Sequence, residues 1–205
     1  MKPLPKLLVA TANPGKQREY RALWKDLNAE IVFPQDLGIR LEVEEDGATF
    51  RENAAKKAVA FARAAHLPAA ADDSGLEVEA LGGAPGVRSA RWAGADADDA
   101  KRRAFLLEKL SGVPEPRTAR FVCVIAVALP GGETAYAEGE CRGEITVAER
   151  GTNGFGYDPL FRPEGRSETM AELTPEEKNA LSHRARAART ALPILRKLLE
   201  EEEGK

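Results

Sequence analysis

The sequence predicts an α/β fold from its pattern of apolar residues, and its length and composition fit an ordinary folded domain. Short apolar runs alternate with stretches in which apolar residues recur every three or four positions, which is typical of buried strands followed by amphipathic helices. The chain has 205 residues, enough for a domain with a substantial core. Hydrophobic residues make up 43% of the chain and charged residues 31%, as in an ordinary folded domain. We find no internal repeat and no linker, so we expect one domain over residues 1–205.

The first half of the chain is predicted to alternate strands with helices. Apolar runs give the strands, and recurring apolar positions such as Tyr20, Leu23 and Leu27 give the helices. The predicted elements are a strand at 6–12, a turn at 13–16, a helix at 17–27, a strand at 31–33 and a helix at 49–65. A third strand is expected to deliver Asp72 and Asp73 at its end, followed by a turn of small residues.

The second half is predicted to contain a hairpin, a glycine-rich loop and three helices. The predicted elements are a break at 82–86, a helix at 96–110, a hairpin of strands 120–129 and 133–140, a glycine-rich loop at 151–158, a helix from Thr174 and a helix from 182. Pro193 should kink that last helix or begin a new one, and 200–203 should form a solvated tail. The exposed-looking segment 82–92 is our candidate for part of a dimer or lid surface.

Charge and cysteine usage exclude several classes of function. The formal net charge of −3 provides no overall positive field for DNA or RNA, so we expect no nucleic-acid partner. Cys123 and Cys141 match no zinc-binding spacing, and Cys123 lies in an apolar run typical of the core. Neither a signal peptide nor an apolar run of membrane-spanning length occurs, so we expect a cytoplasmic protein without a membrane partner.

The run Ala71-Asp72-Asp73-Ser74-Gly75 carries the strongest chemical signal. Two adjacent carboxylates at a strand end repel each other and lose hydration, which a fold rarely accepts for stability alone. Magnesium removes that conflict, because it binds one or two carboxylates and takes substrate phosphates as further ligands. The alternative is a solvated turn, since Asp, Ser and Gly are common turn residues.

Two further segments are candidates for the same site. The segment 11–16 lies between the first strand and helix, where backbone donors and Lys16 suit a phosphate; a plain turn is the alternative, and no Walker motif is present. Glu45, within the acidic run 42–46, is a candidate third metal ligand, although such runs are usually solvated. Lys57 lies on the apolar face of its predicted helix, so it either snorkels or reaches a buried anion.

Side chains around Phe155 and at the start of the last predicted helix are suited to binding a nucleobase. Phe155 lies between two glycines, which leaves its ring open for stacking, and Asp158 can accept a hydrogen bond from a base N–H. The alternative is a loop anchored by a core phenylalanine. Lys178, His183 and Arg184 supply donors that can recognise the 6-keto oxygen of a purine, although a lone His is more often structural.

Taken together, these motifs resemble one family. They are Thr-x-Asn-x-Gly-Lys, Ala-Asp-Asp-Ser-Gly, Leu-Gly-Gly-Ala-Pro-Gly-Val-x-Ser-Ala-Arg, Gly-Phe-Gly-Tyr-Asp-Pro and Glu-Lys-Asn-Ala-x-Ser-His-Arg, in that order. The set is similar to the inosine triphosphate pyrophosphatase family, also called Ham1-like or non-standard purine nucleoside-triphosphate pyrophosphatases. The resemblance extends from Leu7 to the last helix, and no motif position departs from it.

The resemblance implies a fold, a reaction and a set of roles. The fold would be a long mixed β-sheet flanked by helices, with two lobes around a central substrate cleft. The protein would be a Mg²⁺-dependent homodimer that hydrolyses ITP, dITP and XTP to the monophosphate and pyrophosphate. The implied catalytic residue is Asp73, and the implied metal ligands are Asp73, Glu45 and Asp72. The implied substrate-binding residues are Thr11, Ala12, Asn13, Pro14, Gly15, Lys16, Lys57, Ser74, Phe155, Gly156, Tyr157, Asp158, Lys178, His183 and Arg184.

Two other functions fit part of the pattern. One is a pyrophosphatase for modified pyrimidine triphosphates, which a panel of substrates would distinguish. The other is a nucleotide-binding sensor without turnover. Binding alone does not require a water-activating carboxylate, so the intact Asp72–Asp73 pair favours an enzyme.

Overall fold

The computed structural model describes residues 3–203 and shows an α/β fold. Within these residues, six strands form one mixed sheet in the order β2-β1-β3-β4-β5-β6. The strands are β1 (Lys6–Val9), β2 (Glu30–Val32), β3 (Ala69–Val78), β4 (Thr118–Ala128), β5 (Thr134–Ile145) and β6 (Phe161–Pro163). The helices are α1 (Pro14–Leu23), α2 (Phe50–Ala65), α3 (Asp99–Lys109), α4 (Pro175–Leu181) and α5 (His183–Glu203).

Strand β1 lies between two parallel neighbours. It pairs with β2 on one side and with β3 on the other. Leu7, Leu8 and Val9 are at most 1% exposed. Successive strand side chains point to opposite faces, so both faces of β1 are covered, as is usual in parallel sheets. At the other end of the sheet, β5 and β6 pair antiparallel, which makes the sheet mixed. The predicted α/β class and mixed sheet are confirmed.

Side-chain caps fix where two of the helices begin. The side chain of Thr49 accepts a hydrogen bond from the backbone N–H of Glu52, which starts α2. Thr174 and Glu177 form a capping box at the start of α4, where the sequence predicted that a helix begins. These caps satisfy backbone donors that a helix end would otherwise leave without partners.

The contacts within the chain divide it into two compact units. Unit 1 consists of Met1–Asp73, Cys123–Gly139 and Ala185–Lys205. Unit 2 consists of Ser74–Val122 and Glu140–Arg184. The expected single domain with a cleft between two lobes stays a prediction.

Each unit has its own apolar core. In unit 1, Trp24 is buried and its Nε1 donates a 3.1 Å hydrogen bond to the carbonyl of Ala188 on α5. Cys123 belongs to this core, as predicted. In unit 2, Phe121 packs against Phe161 with ring centroids 4.6 Å apart. Burial of such side chains is the main stabilising contribution in each unit.

Several sequence predictions were wrong in detail. The predicted turn at 13–16 is the start of α1, because Asn13 caps the helix and Pro14 occupies its first position. Helix α1 ends at Leu23, four residues before the predicted end. Strand β3 does not stop at Asp73 but runs on to Val78, so Ser74 and Gly75 are strand residues and not a turn.

The C-terminal helix also differs from the prediction. Helix α5 is continuous from His183 to Glu203 with Pro193 inside it, so no new helix begins there. The predicted tail at 200–203 is therefore the last turn of α5. Strand β6 was not predicted, because three residues carry too little periodicity to be recognised.

None of the helices within residues 3–203 is long and apolar enough to cross a membrane. The expected cytoplasmic location stays a prediction.

Candidate active site

The two carboxylates of β3 are buried and held by polar partners in unit 1. Oδ2 of Asp72 lies 2.9 Å from Nζ of Lys16, and the Asp72 side chain is only 2% exposed. The Sγ of Cys123 lies 3.9 Å from the same oxygen. Oδ2 of Asp73 accepts a 2.9 Å hydrogen bond from Nδ2 of Asn53. The alternative of a solvated turn is therefore excluded for this pair.

Lys16 reaches Asp72 because of the way α1 begins. Oδ1 of Asn13 accepts hydrogen bonds from the backbone N–H groups of Gly15, at 2.8 Å, and Lys16, at 3.1 Å. Thr11 Oγ1 in turn accepts from the backbone N–H of Asn13. Asn13 thus already occupies two of the donors that the sequence suggested for a phosphate. Since Pro14 has no N–H, the Lys16 ammonium is the donor that this segment offers most directly.

Lys57 on α2 points at the acidic group. Its Nζ donates to the backbone carbonyl of Asp72 at 2.8 Å and forms an ion pair with Glu45. Of the two interpretations left open by the sequence, the structure supports a lysine that reaches anions. Glu45 is the member of the acidic run 42–46 that joins this group, whereas Asp46 pairs with Lys56 at the surface.

The pKa values of Asp73 and Lys57 are both raised above their ordinary values. Desolvation is the largest influence on Asp73 and raises its pKa above the ordinary value, because Lys57 and the Asn53 hydrogen bond offset only part of it. Burial lowers the pKa of Lys57, but attraction to Asp72, Glu45 and Asp73 outweighs burial and raises the pKa overall. Lys57 therefore stays charged, and Asp73 takes up a proton more readily than an exposed aspartate.

Asn53 is a site residue that the sequence analysis missed. It is fully buried, and its Oδ1 accepts a 2.8 Å hydrogen bond from the backbone N–H of Gly47 while its Nδ2 donates to Asp73. A Cβ at position 47 would lie 2.6 Å from Oδ1 of Asn53, so glycine is required for this close approach. One signal was available: Asn53 lies four residues before Lys57, on the same helix face.

The acidic group suits a hard cation by the chemistry of its donors. Glu45, Asp72 and Asp73 offer carboxylate oxygens, and all three interact electrostatically with the ammonium of Lys57. Within residues 3–203, no three His, Cys, Asp or Glu side chains are arranged to hold a metal by themselves. Magnesium does not require such a cage, because it keeps waters and takes phosphate oxygens as ligands. The three carboxylates therefore suit Mg²⁺, and binding of the metal stays a prediction.

The glycine-flanked ring lies in unit 2 and faces two cations. Lys178 Nζ is 4.8 Å and Arg184 Cζ is 5.6 Å from the centroid of the Phe155 ring. Phe155 is only partly buried, so the alternative of a core anchor does not hold. Its neighbour Tyr157 is the buried member of the loop, and the Tyr157 hydroxyl donates a 3.0 Å hydrogen bond to the carbonyl of Ser89.

Asp158 organises this loop from inside. Its Oδ2 accepts hydrogen bonds from Nζ of Lys178 at 2.6 Å and from the backbone N–H of Phe155 at 2.9 Å. Both side chains of the Asp158–Lys178 ion pair are less than a tenth exposed. A Cβ on Gly154 would lie 2.1 Å from the same Oδ2, so the loop depends on glycine there.

The start of α5 supplies the remaining predicted donors. Arg184 is buried and its Nη2 donates a 2.9 Å hydrogen bond to Oγ of Ser74, which follows the acidic pair in β3. The His183 ring is 5% exposed and stacks on Phe121, with centroids 4.7 Å apart and planes at 15°. Ser74, Phe155, Asp158, Lys178 and Arg184 are thus linked by contacts within unit 2.

Comparisons with known proteins identify the family of this chain. A model of the Ham1 family matches residues 7–194. The chain belongs to the Ham1 family. It is 52% identical over 185 residues to a dITP/XTP pyrophosphatase of Geobacillus kaustophilus, covering 90% of this chain and 91% of that protein. It is 46% identical over 194 residues to a dITP/XTP pyrophosphatase of Bacillus subtilis, covering 94% of this chain and 96% of that one.

Solved structures of the Ham1 family share the fold. The HAM1 protein from Coxiella burnetii matches with a TM-score of 0.86 at 40% identity, covering 95% of this chain and 100% of that one. The Staphylococcus aureus Ham1 protein matches with a TM-score of 0.80 at 40% identity, covering 96% and 99% of the two chains. These matches confirm the predicted family and the predicted mixed-sheet α/β class.

Proposed function

We propose that this protein hydrolyses non-standard purine nucleoside triphosphates, such as ITP, dITP and XTP, to the monophosphate and pyrophosphate. The observation that carries the proposal is the buried pair Asp72 and Asp73, set against the ammonium groups of Lys16 and Lys57. Such a group binds a polyphosphate and can activate water. The relatives named dITP/XTP pyrophosphatase support the choice of substrate.

The reaction assigns a different task to each charged group. Water attacks the α-phosphorus, the bond from that phosphorus to the bridging oxygen breaks, and pyrophosphate leaves. Asp73 orients the water and accepts its proton. Lys16 and Lys57 hold the phosphate oxygens and stabilise the charge that develops as the bond breaks.

We also propose Mg²⁺ as the cofactor, with Asp73, Glu45 and Asp72 as the residues that would hold it. When bound, the ion neutralises phosphate charge and polarises the phosphorus–oxygen bonds. Titration calorimetry with Mg²⁺ tests the site: heat of binding in the wild type and its loss in Asp73→Asn are expected, and equal binding by both would contradict the assignment.

Recognition of the base belongs to the residues around Phe155. The ring stacks on the purine, and Lys178, His183 and Arg184 supply donors for the 6-keto oxygen. Adenine has an amino group at that position, so a buried donor would lose its partner. Discrimination of about 10⁴-fold against adenine is within reach of such a site.

We further propose a homodimer, and light scattering at low protein concentration tests that state.

A panel of triphosphates with Mg²⁺ tests the function and separates the alternatives. ITP, dITP and XTP should yield pyrophosphate, while ATP should be turned over far more slowly. Preference for a pyrimidine triphosphate would contradict the purine assignment. Tight binding of ITP with no pyrophosphate released would instead indicate a sensor.

A further inference from the structure

Two side chains of α3 hold the backbone of Gly156, the residue that follows the Phe155 ring. Oδ2 of Asp99 accepts a 2.7 Å hydrogen bond from the backbone N–H of Gly156. Nη1 of Arg103 donates a 3.1 Å hydrogen bond to the Gly156 carbonyl. Asp99 and Arg103 are four residues apart, so they project from the same face of the helix. Both polar groups of one loop residue are thus tied to one helix.

Asp99 and Arg103 are each held by a partner of opposite charge. Asp99 forms an ion pair with Arg102, and Nε of Arg103 lies 2.9 Å from Oε2 of Glu149. Burial alone would raise the pKa of Asp99, but the hydrogen bonds from Gly156 and Arg102 outweigh it and lower the pKa. Asp99 is therefore held as a carboxylate, which accepts a stronger hydrogen bond than a neutral acid does.

Gly156 has a φ of +63°, and next to it the Asp158 N–H donates a 3.2 Å hydrogen bond to the Phe155 carbonyl. The direction of the Phe155 ring depends on the peptide groups on either side. On one side Asp158 holds the Phe155 N–H, and on the other side α3 holds Gly156.

We propose that Asp99 and Arg103 are positioning residues that set the orientation of the Phe155 ring and thereby the affinity and selectivity of the site for the nucleobase. The inference rests on the proposed function, because it assigns the ring to the base. Neither residue needs to contact the substrate. Their loss should therefore weaken recognition of the base and leave the phosphate chemistry of Asp73 largely intact.

Kinetics on Asp99→Ala, with Asp98→Ala as the matched control, test the proposal. Asp98 is the N-cap of the same helix, and its Oδ1 accepts a 2.7 Å hydrogen bond from the backbone N–H of Lys101. Both variants should lower the melting temperature, since both weaken α3. In Asp99→Ala alone, KM for ITP should rise about tenfold, kcat should change less than about twofold, and the preference for ITP over ATP should fall about tenfold.

Conservative variants and a binding measurement complete the test. Asp99→Asn keeps an oxygen acceptor and Arg103→Lys keeps a donor, so both should restore part of the affinity that the alanine variants lose. Calorimetry with inosine monophosphate should show about tenfold weaker binding to Asp99→Ala, whereas binding of inorganic triphosphate should be unchanged. Unaltered KM, selectivity and monophosphate affinity in Asp99→Ala would overturn the inference.

The two measurements separate this inference from the function on which it rests. If the wild type released no pyrophosphate from ITP, the proposed function would fail, and the monophosphate titration would still decide the role of Asp99. A wild type that bound no inosine monophosphate would overturn the inference too.

Discussion

Nδ2 of Asn53 donates a 2.9 Å hydrogen bond to Oδ2 of Asp73, and Oδ1 of the same amide accepts from the backbone N–H of Gly47. One buried side chain thus connects the segment before α2 to the carboxylate that we assign to catalysis. The amide uses both of its polar ends, so neither a shorter nor an apolar side chain can replace it.

Replacing Asn53 should therefore cost both stability and turnover. Asn53→Ala removes a partner from the buried Asp73 and from Gly47, and we expect a loss of about 1–3 kcal/mol in the free energy of unfolding. Urea denaturation measures the loss, and pyrophosphate release from ITP should fall as well. Asn28→Ala, at an exposed position, is the control and should change neither quantity. Equal stability of the two variants would contradict the role of Asn53.

Gly154 should be intolerant of a side chain for a reason beyond backbone strain. Gly154→Ala would place its Cβ 2.1 Å from Oδ2 of Asp158, the atom that holds Lys178 and the Phe155 N–H. We expect the loop to shift and KM for ITP to rise at least tenfold.

Gly165→Ala provides the matched control for that substitution. Both glycines have a φ of +77°, but a Cβ on Gly165 would meet no atom within 4 Å. It should cost a similar backbone strain of about 1 kcal/mol and leave KM unchanged. If the two variants had the same KM, the contact between position 154 and Asp158 would not matter for substrate binding.

Tyr157 should make stability depend on pH in the alkaline range. Burial is the main cause that raises its pKa from 10.0 to about 12. The folded state keeps the proton between those values while the unfolded state loses it. The stabilising contribution is therefore complete below pH 10 and is lost as pH rises through 12, by an amount on the order of 2 kcal/mol.

Comparison of the wild type with Tyr157→Phe isolates that contribution. Phenylalanine keeps the ring but cannot ionise, and it loses the hydrogen bond to Ser89. Urea denaturation at pH 9 and pH 11 should show the stability advantage of the wild type shrinking at the higher pH. Other titrating groups are common to both chains, so their effects cancel. An advantage that stays constant between the two pH values would contradict the prediction.

The sequence predicted most elements because their periodicities are strong. The apolar run at 6–9 and the recurring apolar positions of α2 are decided by local pattern. The start of α1 was misjudged although its signal was present, since Asn followed by Pro is typical of an N-cap and first helical position. The continuation of β3 past Asp73 could not be predicted, because Asp, Ser and Gly disfavour strands and the neighbouring strands override that preference.

The candidate site was predictable as a set of motifs but not as a set of contacts. Lys57 stood out as a charge on an apolar face, and the structure shows what it reaches. Asn53, Asp99 and Arg103 carry no local signal of comparable strength. Their roles follow from hydrogen bonds to residues 20, 57 and 53 positions away, and only the folded chain brings these together.

The central claim is that Asp73 activates water for attack on the α-phosphorus of a purine triphosphate. The most direct measurement is pyrophosphate release from dITP with Mg²⁺ by the wild type and by Asp73→Asn, with the fold of both monitored by circular dichroism. We predict rapid release of pyrophosphate by the wild type and a loss of at least 10²-fold in a folded Asp73→Asn. Full activity of that variant, or release of orthophosphate in place of pyrophosphate by the wild type, would contradict the account.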